Sequence, residues 1–123
     1  MGTVASVVDP RRGTVVCERC EVADTSLRRL RGLLGRSSLP AGEGLLLRPT
    51  PAVHTSFMRF PLDIVFLDCD LVVVDVVDEL QPWRAAARRS ARAVLELAAG
   101  ERVRRHVVPG DQLALVSPAS VAS

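Results

Sequence analysis

Asp63-Ile64-Val65-Phe66-Leu67-Asp68-Cys69-Asp70-Leu71-Val72-Val73-Val74-Asp75-Val76-Val77-Asp78-Glu79-Leu80 decides the fold. It holds two strand-length apolar runs, 63–68 and 71–80, parted by a short polar break, and neither keeps the 3.6-residue period of a helix. Working outward, 44–47 and 53–58 read as strands upstream, and 94–98 and 112–116 as strands downstream. Residues 4–8 and 14–23 flank Asp9-Pro10-Arg11-Arg12-Gly13, whose Pro and Gly are turn residues, so they predict an amino-terminal hairpin. One segment departs from this pattern. Asp24-Thr25-Ser26 offers N-caps, Leu27, Leu30, Leu33 and Leu34 follow at helical spacing, and Gly35 ends the run. The expectation is a mainly β chain, an antiparallel β-sandwich or barrel-like domain. One short α-helix covers about residues 25–34, with room for a second helical turn near 100–106. Residues 1–118 make a single β-rich domain and 119–123 a frayed tail.

Composition narrows the function classes. The chain has 123 residues, is 48% hydrophobic and has a mean hydropathy of +0.23, which excludes a disordered chain. No apolar run approaches the ~18 residues of a membrane span, and the amino terminus carries no secretion-signal pattern. The expected compartment is the cytoplasm. All sixteen cations are Arg, and the net charge of +2 is too small to announce a nucleic-acid binder. Four aromatics, Phe57, Phe60, Phe66 and Trp83, are too few for a base-stacking platform. Charge is uneven: residues 41–81 are net acidic, and the segments on either side are net basic.

Arg31-Gly32-Leu33-Leu34-Gly35-Arg36, then Leu39-Pro40 and Gly44-Leu45-Leu46, make a first block of a recognisable pattern. The others are His54-Thr55-Ser56-Phe57-Met58-Arg59-Phe60-Pro61-Leu62-Asp63, Val94-Leu95-Glu96-Leu97-Ala98 and Pro109-Gly110-Asp111. In this order they resemble the bacterial and archaeal family called domain of unknown function 192, over about residues 15–116. The resemblance implies a compact β-sandwich domain with a short helix and brings no agreed activity. Many members have an aromatic-Met-Lys-Asn-Thr run before the Pro-Leu-Asp; here His54-Thr55 makes a variant of that motif.

The candidate binding residues are His54, Thr55, Arg59, Asp63, Arg31 and Glu96. Asp63 interrupts an apolar strand, so an ionised carboxylate there needs a cation or several hydrogen bonds. Arg31, Arg36 and Arg59 are the available guanidiniums, and an arginine partner from the 25–34 helix is the expectation. Amides of a turn beside Pro61 are the other source. His54 offers a base, but a hairpin turn at 59–62 would set it opposite residues 66–68 rather than Asp63. No nucleophile elbow accompanies it. Glu96 alternates with Leu95 and Leu97 and faces away from both. Cys17 and Cys20 form a C-x-x-C, but residues three apart on a regular strand point to opposite faces, so no metal or other cofactor is expected. Arg84, Arg88 and Arg92 recur every four residues and are the candidate anion-binding set.

These residues favour a non-catalytic accessory module that binds a small ligand or a protein at a polar concavity near His54 and Asp63. An enzyme using His54 and Asp63 is one alternative. An anion or nucleic-acid binder acting through Arg84, Arg88 and Arg92 is the other, and the modest net charge speaks against nucleic acid.

Overall fold

In the computed structural model, which describes residues 3–23, 37–56 and 58–121, the apolar runs become nine strands. They are β1 (Thr3–Asp9), β2 (Thr14–Ala23), β3 (Glu43–Leu47), β4 (Ala52–His54), β5 (Leu62–Leu67), β6 (Val73–Leu80), β7 (Ala85–Ala87), β8 (Ala93–Ala98) and β9 (Ala114–Val116). The helical turn expected near 100–106 is α1 (Glu101–Arg104), and Pro118–Ser120 forms a 3-10 turn capped by Ser117. The helix expected at 25–34 lies outside the described residues. The fold is mainly β, as the runs require.

Seven strands form one sheet in the order β6-β5-β8-β3-β2-β1-β9, and β4 and β7 form a separate two-stranded ribbon. Every pair is antiparallel except β2–β3, which runs parallel, so the sheet is mixed. The long connection 24–42 lies between these two strands; a parallel pair cannot be joined by a tight turn. The sheet does not close into a barrel, but its two edges meet at one bridge between Val72 and Gln112.

Strand alternation sends side chains to two cores. Val65 and Leu67 of β5 join Leu95 and Leu97 of β8, Leu46 of β3, and Cys17 and Cys20 of β2 on one face. Ile64 and Phe66 join Leu45, Leu47 and Val94 on the other, and Val53 of the ribbon covers them. Each large side chain so enclosed contributes about 1.5–3 kcal/mol.

Four register shifts break the regular period, two in the β1–β2 ladder and two in the β5–β6 ladder, and one in each bears on the candidate residues. In the β1–β2 ladder Ala5 pairs with Cys20 while Val7 pairs with Cys17, so three steps of β2 face two of β1. The extra residue turns Cys17 and Cys20 to the same face, correcting the divergence expected of a regular strand. Both thiols are buried and free. The neighbouring Cys17 thiol and burial raise the Cys20 pKa well above the ordinary thiol value. Opposite this bulge, the buried Ser6 hydroxyl donates to Glu18 O at 2.5 Å. In the β5–β6 ladder Leu62 pairs with Leu80 but Ile64 with Val77, and Glu79 takes a left-handed φ of 50°.

Helix α1 is bound to the sheet by its charges. Arg105 donates to Val15 O at 2.8 Å and to Glu18 at 2.8 and 3.1 Å, while its Nε reaches Glu101 at 3.2 Å. Arg102 grips Asp78 of β6 with two bonds of 2.6 Å. The partner arginines hold Glu18 and Asp78 below the ordinary carboxylate values, and Arg104, then Arg105, do the same for Glu101.

These lowered folded values set the sign of the acid response. The stabilisation is complete above the unfolded carboxylate range and is lost as pH falls through the lowered folded values. Unfolding free energy from urea titrations should therefore fall as the solution is acidified below about pH 4.5, and Arg105→Ala should flatten that slope. Gly44 makes a second test. A Cβ there would stand 2.8 Å from Glu96 O, a main-chain atom, and 2.9 Å from Cys17 Sγ. Gly44→Ala should destabilise the fold by about 1–3 kcal/mol, the cost of overpacking, read as a lowered urea midpoint with an unchanged slope.

Candidate functional site

Asp63 is fully buried on the face of β5 that carries Val65 and Leu67. Its Oδ1 accepts from Glu79 N at 2.9 Å, and its Oδ2 accepts from Arg102 N at 2.9 Å. Arg31 and Arg36, the expected arginine partners, lie outside the described residues; among those described, Asp63 is held by two main-chain amides. They come from the bulge of β6 and the first turn of α1, not from the turn beside Pro61. Both amides lack strand or helix partners for definite reasons. A bulge leaves a residue outside the ladder, and the first N–H groups of a helix have no intrahelical acceptor. Gly100, the residue before α1, supplies no side-chain cap, so Asp63 takes that role from another strand.

His54 lies elsewhere. It is exposed on β4, and its register partner is Ala85 of β7, not a residue of β5. The ribbon leaves the main sheet before a β4–β5 hairpin can form, which overturns the register expected from a turn at 59–62. His54 and Asp63 consequently do not share a pocket. Thr55 next to it is buried and fully engaged. Its hydroxyl donates to Gln81 O at 2.6 Å and accepts from Arg84 N at 2.9 Å, while its amide donates to Arg84 O at 2.8 Å. This one residue fastens β4 to the chain entering β7.

The ribbon has two unlike faces. Val53 and its partner Ala86 turn toward the core, whereas Ala52, His54, Ala85 and Ala87 are exposed. With Thr50 they line an open concavity of about 520 Å³. Three of the four outward side chains are methyl groups, which is why the space is vacant. Trp83, just before β7, is 58% exposed and holds a left-handed φ of 63°.

Of the remaining candidates, Arg59 is exposed, and Glu96 is fully buried on the face of β8 opposite Leu95 and Leu97, beside Leu45 and Ile64. Arg31 and Arg36 lie outside the described residues. The stripe expected of Arg84, Arg88 and Arg92 is broken, because 84–92 is not one regular element: β7 ends at Ala87 and a turn follows. Arg88 has a structural task. Its Nε meets Asp75 at 2.5 Å, and its guanidinium lies 5.0 Å from the Phe66 ring centre. Arg84 and Arg92 are exposed, and among the described residues their guanidiniums bond nearby carbonyls.

A second concavity of about 480 Å³ is lined by Arg12, Thr14, Arg102, Val103, His106 and Val108. Its guanidiniums are already answered, Arg12 by Asp111 at 3.2 Å and Arg102 by Asp78. No group of three His, Cys, Asp or Glu gathers around a common point among the described residues. Sequence reasoning missed Thr50 and Ala85–Ala87. The signal that could have found them is the absence of acids from both 48–62 and 81–95, the two segments that build the ribbon.

The DUF192 family model, described as an uncharacterized ACR, matches residues 7–115. The chain belongs to the DUF192 family. A UPF0127 protein of Pyrococcus abyssi is 31% identical over 102 residues, covering 77% of this chain and 84% of the relative. A UPF0127 protein of Thermococcus sibiricus is 28% identical over 99 residues, covering 76% of this chain and 64% of the relative. A crystal structure of a protein of unknown function from Novosphingobium aromaticivorans superposes with a TM-score of 0.75 at 26% identity, covering 92% of this chain and 84% of that one. A Sinorhizobium meliloti structure, named "putative transcription regulator", reaches 0.77 at 24% identity over 94% of each chain, a likeness of fold alone. These DUF192 relatives evidence no specific function. No helix among the described residues is long and apolar enough to cross a membrane.

Asp63→Asn in this DUF192 chain should lower unfolding free energy by about 1.5–3 kcal/mol, since hydrogen bonds to a charged group are lost and one buried amide faces an N–H₂. Chemical denaturation checks this. An unchanged midpoint would mean that the carboxylate does not hold β6 and α1.

Proposed function

We propose that this DUF192 chain is a non-catalytic binding module, and that its binding face is the outer side of the β4–β7 ribbon. The carrying observation is the concavity lined by Thr50, Ala52, His54 and Ala85–Ala87. Binding sites are concave and mainly apolar, with a few placed polar groups, and this one offers alanine methyls with His54 and Thr50 at its border. The alternative of an enzyme using His54 and Asp63 loses its support, because Asp63 is enclosed and spends both oxygens on main-chain amides. The occupant is a small ligand or a segment of a partner protein. The module is a single β-rich domain over residues 1–118, and its free, neighbouring thiols suit a reducing compartment such as the cytoplasm.

Isopropanol is a suitable probe, because its methyl groups and hydroxyl report where a site takes mixed apolar and polar contacts. Amide shifts in a titration followed by two-dimensional NMR should cluster at 50–55 and 84–87, and Ala87→Trp, which fills the concavity from an exposed residue, should abolish them. Shifts spread evenly over the surface, or gathered around Arg12 and His106, would overturn the assignment.

A further inference from the structure

The folded chain re-sorts its charge. Read along the sequence, the middle third is acidic; read in space, the ribbon is basic. Its two building segments, 48–62 and 81–95, hold Arg48, Arg59, Arg84, Arg88, Arg89 and Arg92 and neither Asp nor Glu. Among the described residues a carboxylate pairs with Arg88 alone of these six. The main chain of three of these arginines brackets the strands that line the concavity. Arg84 is fastened to Thr55 beside His54, while Arg88 N bonds Pro51 O at 3.0 Å and Arg92 O accepts from Thr50 N at 3.0 Å at the other end. None of the six lies within β4 or β7 themselves; they stand in the segments on either side, and five are unanswered by a carboxylate among the described residues.

The backbone supplies the second constraint. β4 and β7 pair only with each other among the described residues, so each strand keeps an open edge. An open edge is a template for an added strand. The methyl-lined outer face lets another main chain approach closely, and Trp83, two residues before β7, is exposed.

Resting on the reading of the ribbon as the binding face, we propose that its occupant is an acidic segment of a partner protein, bound in an extended conformation. Carboxylates of the segment answer Arg84, Arg89 and Arg92, which carry no ion pair among the described residues, and its main chain lies along the ribbon. A peptide fits better than a nucleic acid. Base stacking needs repeated aromatics in a groove, and Trp83 is the one large aromatic exposed among the described residues.

The test uses the full chain, labelled with nitrogen-15, and four probes. Three are capped pentapeptides, Glu-Val-Glu-Val-Glu, Gln-Val-Gln-Val-Gln and Lys-Val-Lys-Val-Lys, and the fourth is a short oligothymidine. The acidic peptide should shift the amides of 50–55 and 84–89, with affinity that falls as salt is raised. The charge-reversed double variant Arg84→Glu with Arg92→Glu, both exposed, should bind it about tenfold or more weakly. Equal binding of the glutamine peptide would overturn the acidic partner, as would preferential binding of the lysine peptide or the oligothymidine. Shifts of these amides with protein concentration alone would name a second copy as the occupant and also overturn it. If no peptide binds while isopropanol still maps to the ribbon, this inference falls and the binding face stands. If isopropanol fails as well, both fall.

Discussion

A single buried carboxylate sets the terms for the sheet's most enclosed strand. All six residues of β5 are buried, and Asp63 is the one ionisable residue among them. An ionised group so placed must be compensated locally, since leaving it bare costs several kcal/mol. Two amides compensate it, and each exists because a regular element is interrupted: β6 by its bulge, α1 by its own beginning. β5, β6 and α1 are thereby registered to one another through one side chain. Ser6 does the same on a smaller scale, closing the carbonyl that the β2 bulge exposes. In both places a polar residue inside the core satisfies a main-chain group left over where the strand loses step.

Regular elements were legible from residue pattern alone. Thr14–Ala23 is recovered to the residue, and the runs ending in Asp68, Leu80, Ala98 and Val116 lie within a residue or two of the strands. Apolar contrast along those segments is strong, and Pro, Gly and Asp mark the turns. β7 was illegible because Ala-Ala-Ala has no apolar–polar contrast to reveal a period. The bulges were illegible for a related reason, since an alternation argument assumes the period it is testing; that error misplaced Cys17 and Cys20. Asp63 was recognised as needing compensation, but its partners are amides, and a main-chain donor leaves no mark in residue type. His54 was singled out as a candidate base, and its place on β4, paired with Ala85, sets it apart from Asp63.

Fastening the ribbon away from the main sheet allows its two faces to serve different ends. Val53 and Ala86 complete the second core, and Arg88 clamps the far end of β7 to Asp75 and the Phe66 ring. Thr55 secures the near end. With both ends held through the inner face and the main chain, the exposed methyls of Ala52, Ala85 and Ala87 bury little and add little to the fold's stability. Substitution of these three alanines is therefore weakly constrained by the core.

The β2 bulge has a consequence for how the molecule's opening can be watched. Cys17 and Cys20 sit buried inside the first core, while Cys69 is exposed at the β5–β6 turn. Alkylation proceeds through the thiolate, so the native state presents one reactive sulfur and conceals two. The rate at which a thiol reagent consumes the hidden pair measures the transient separation of β2 from its neighbours. Cys69 in the same molecule supplies the internal clock. The protein thus contains its own gauge of breathing motions at the centre of the sheet, without an introduced label.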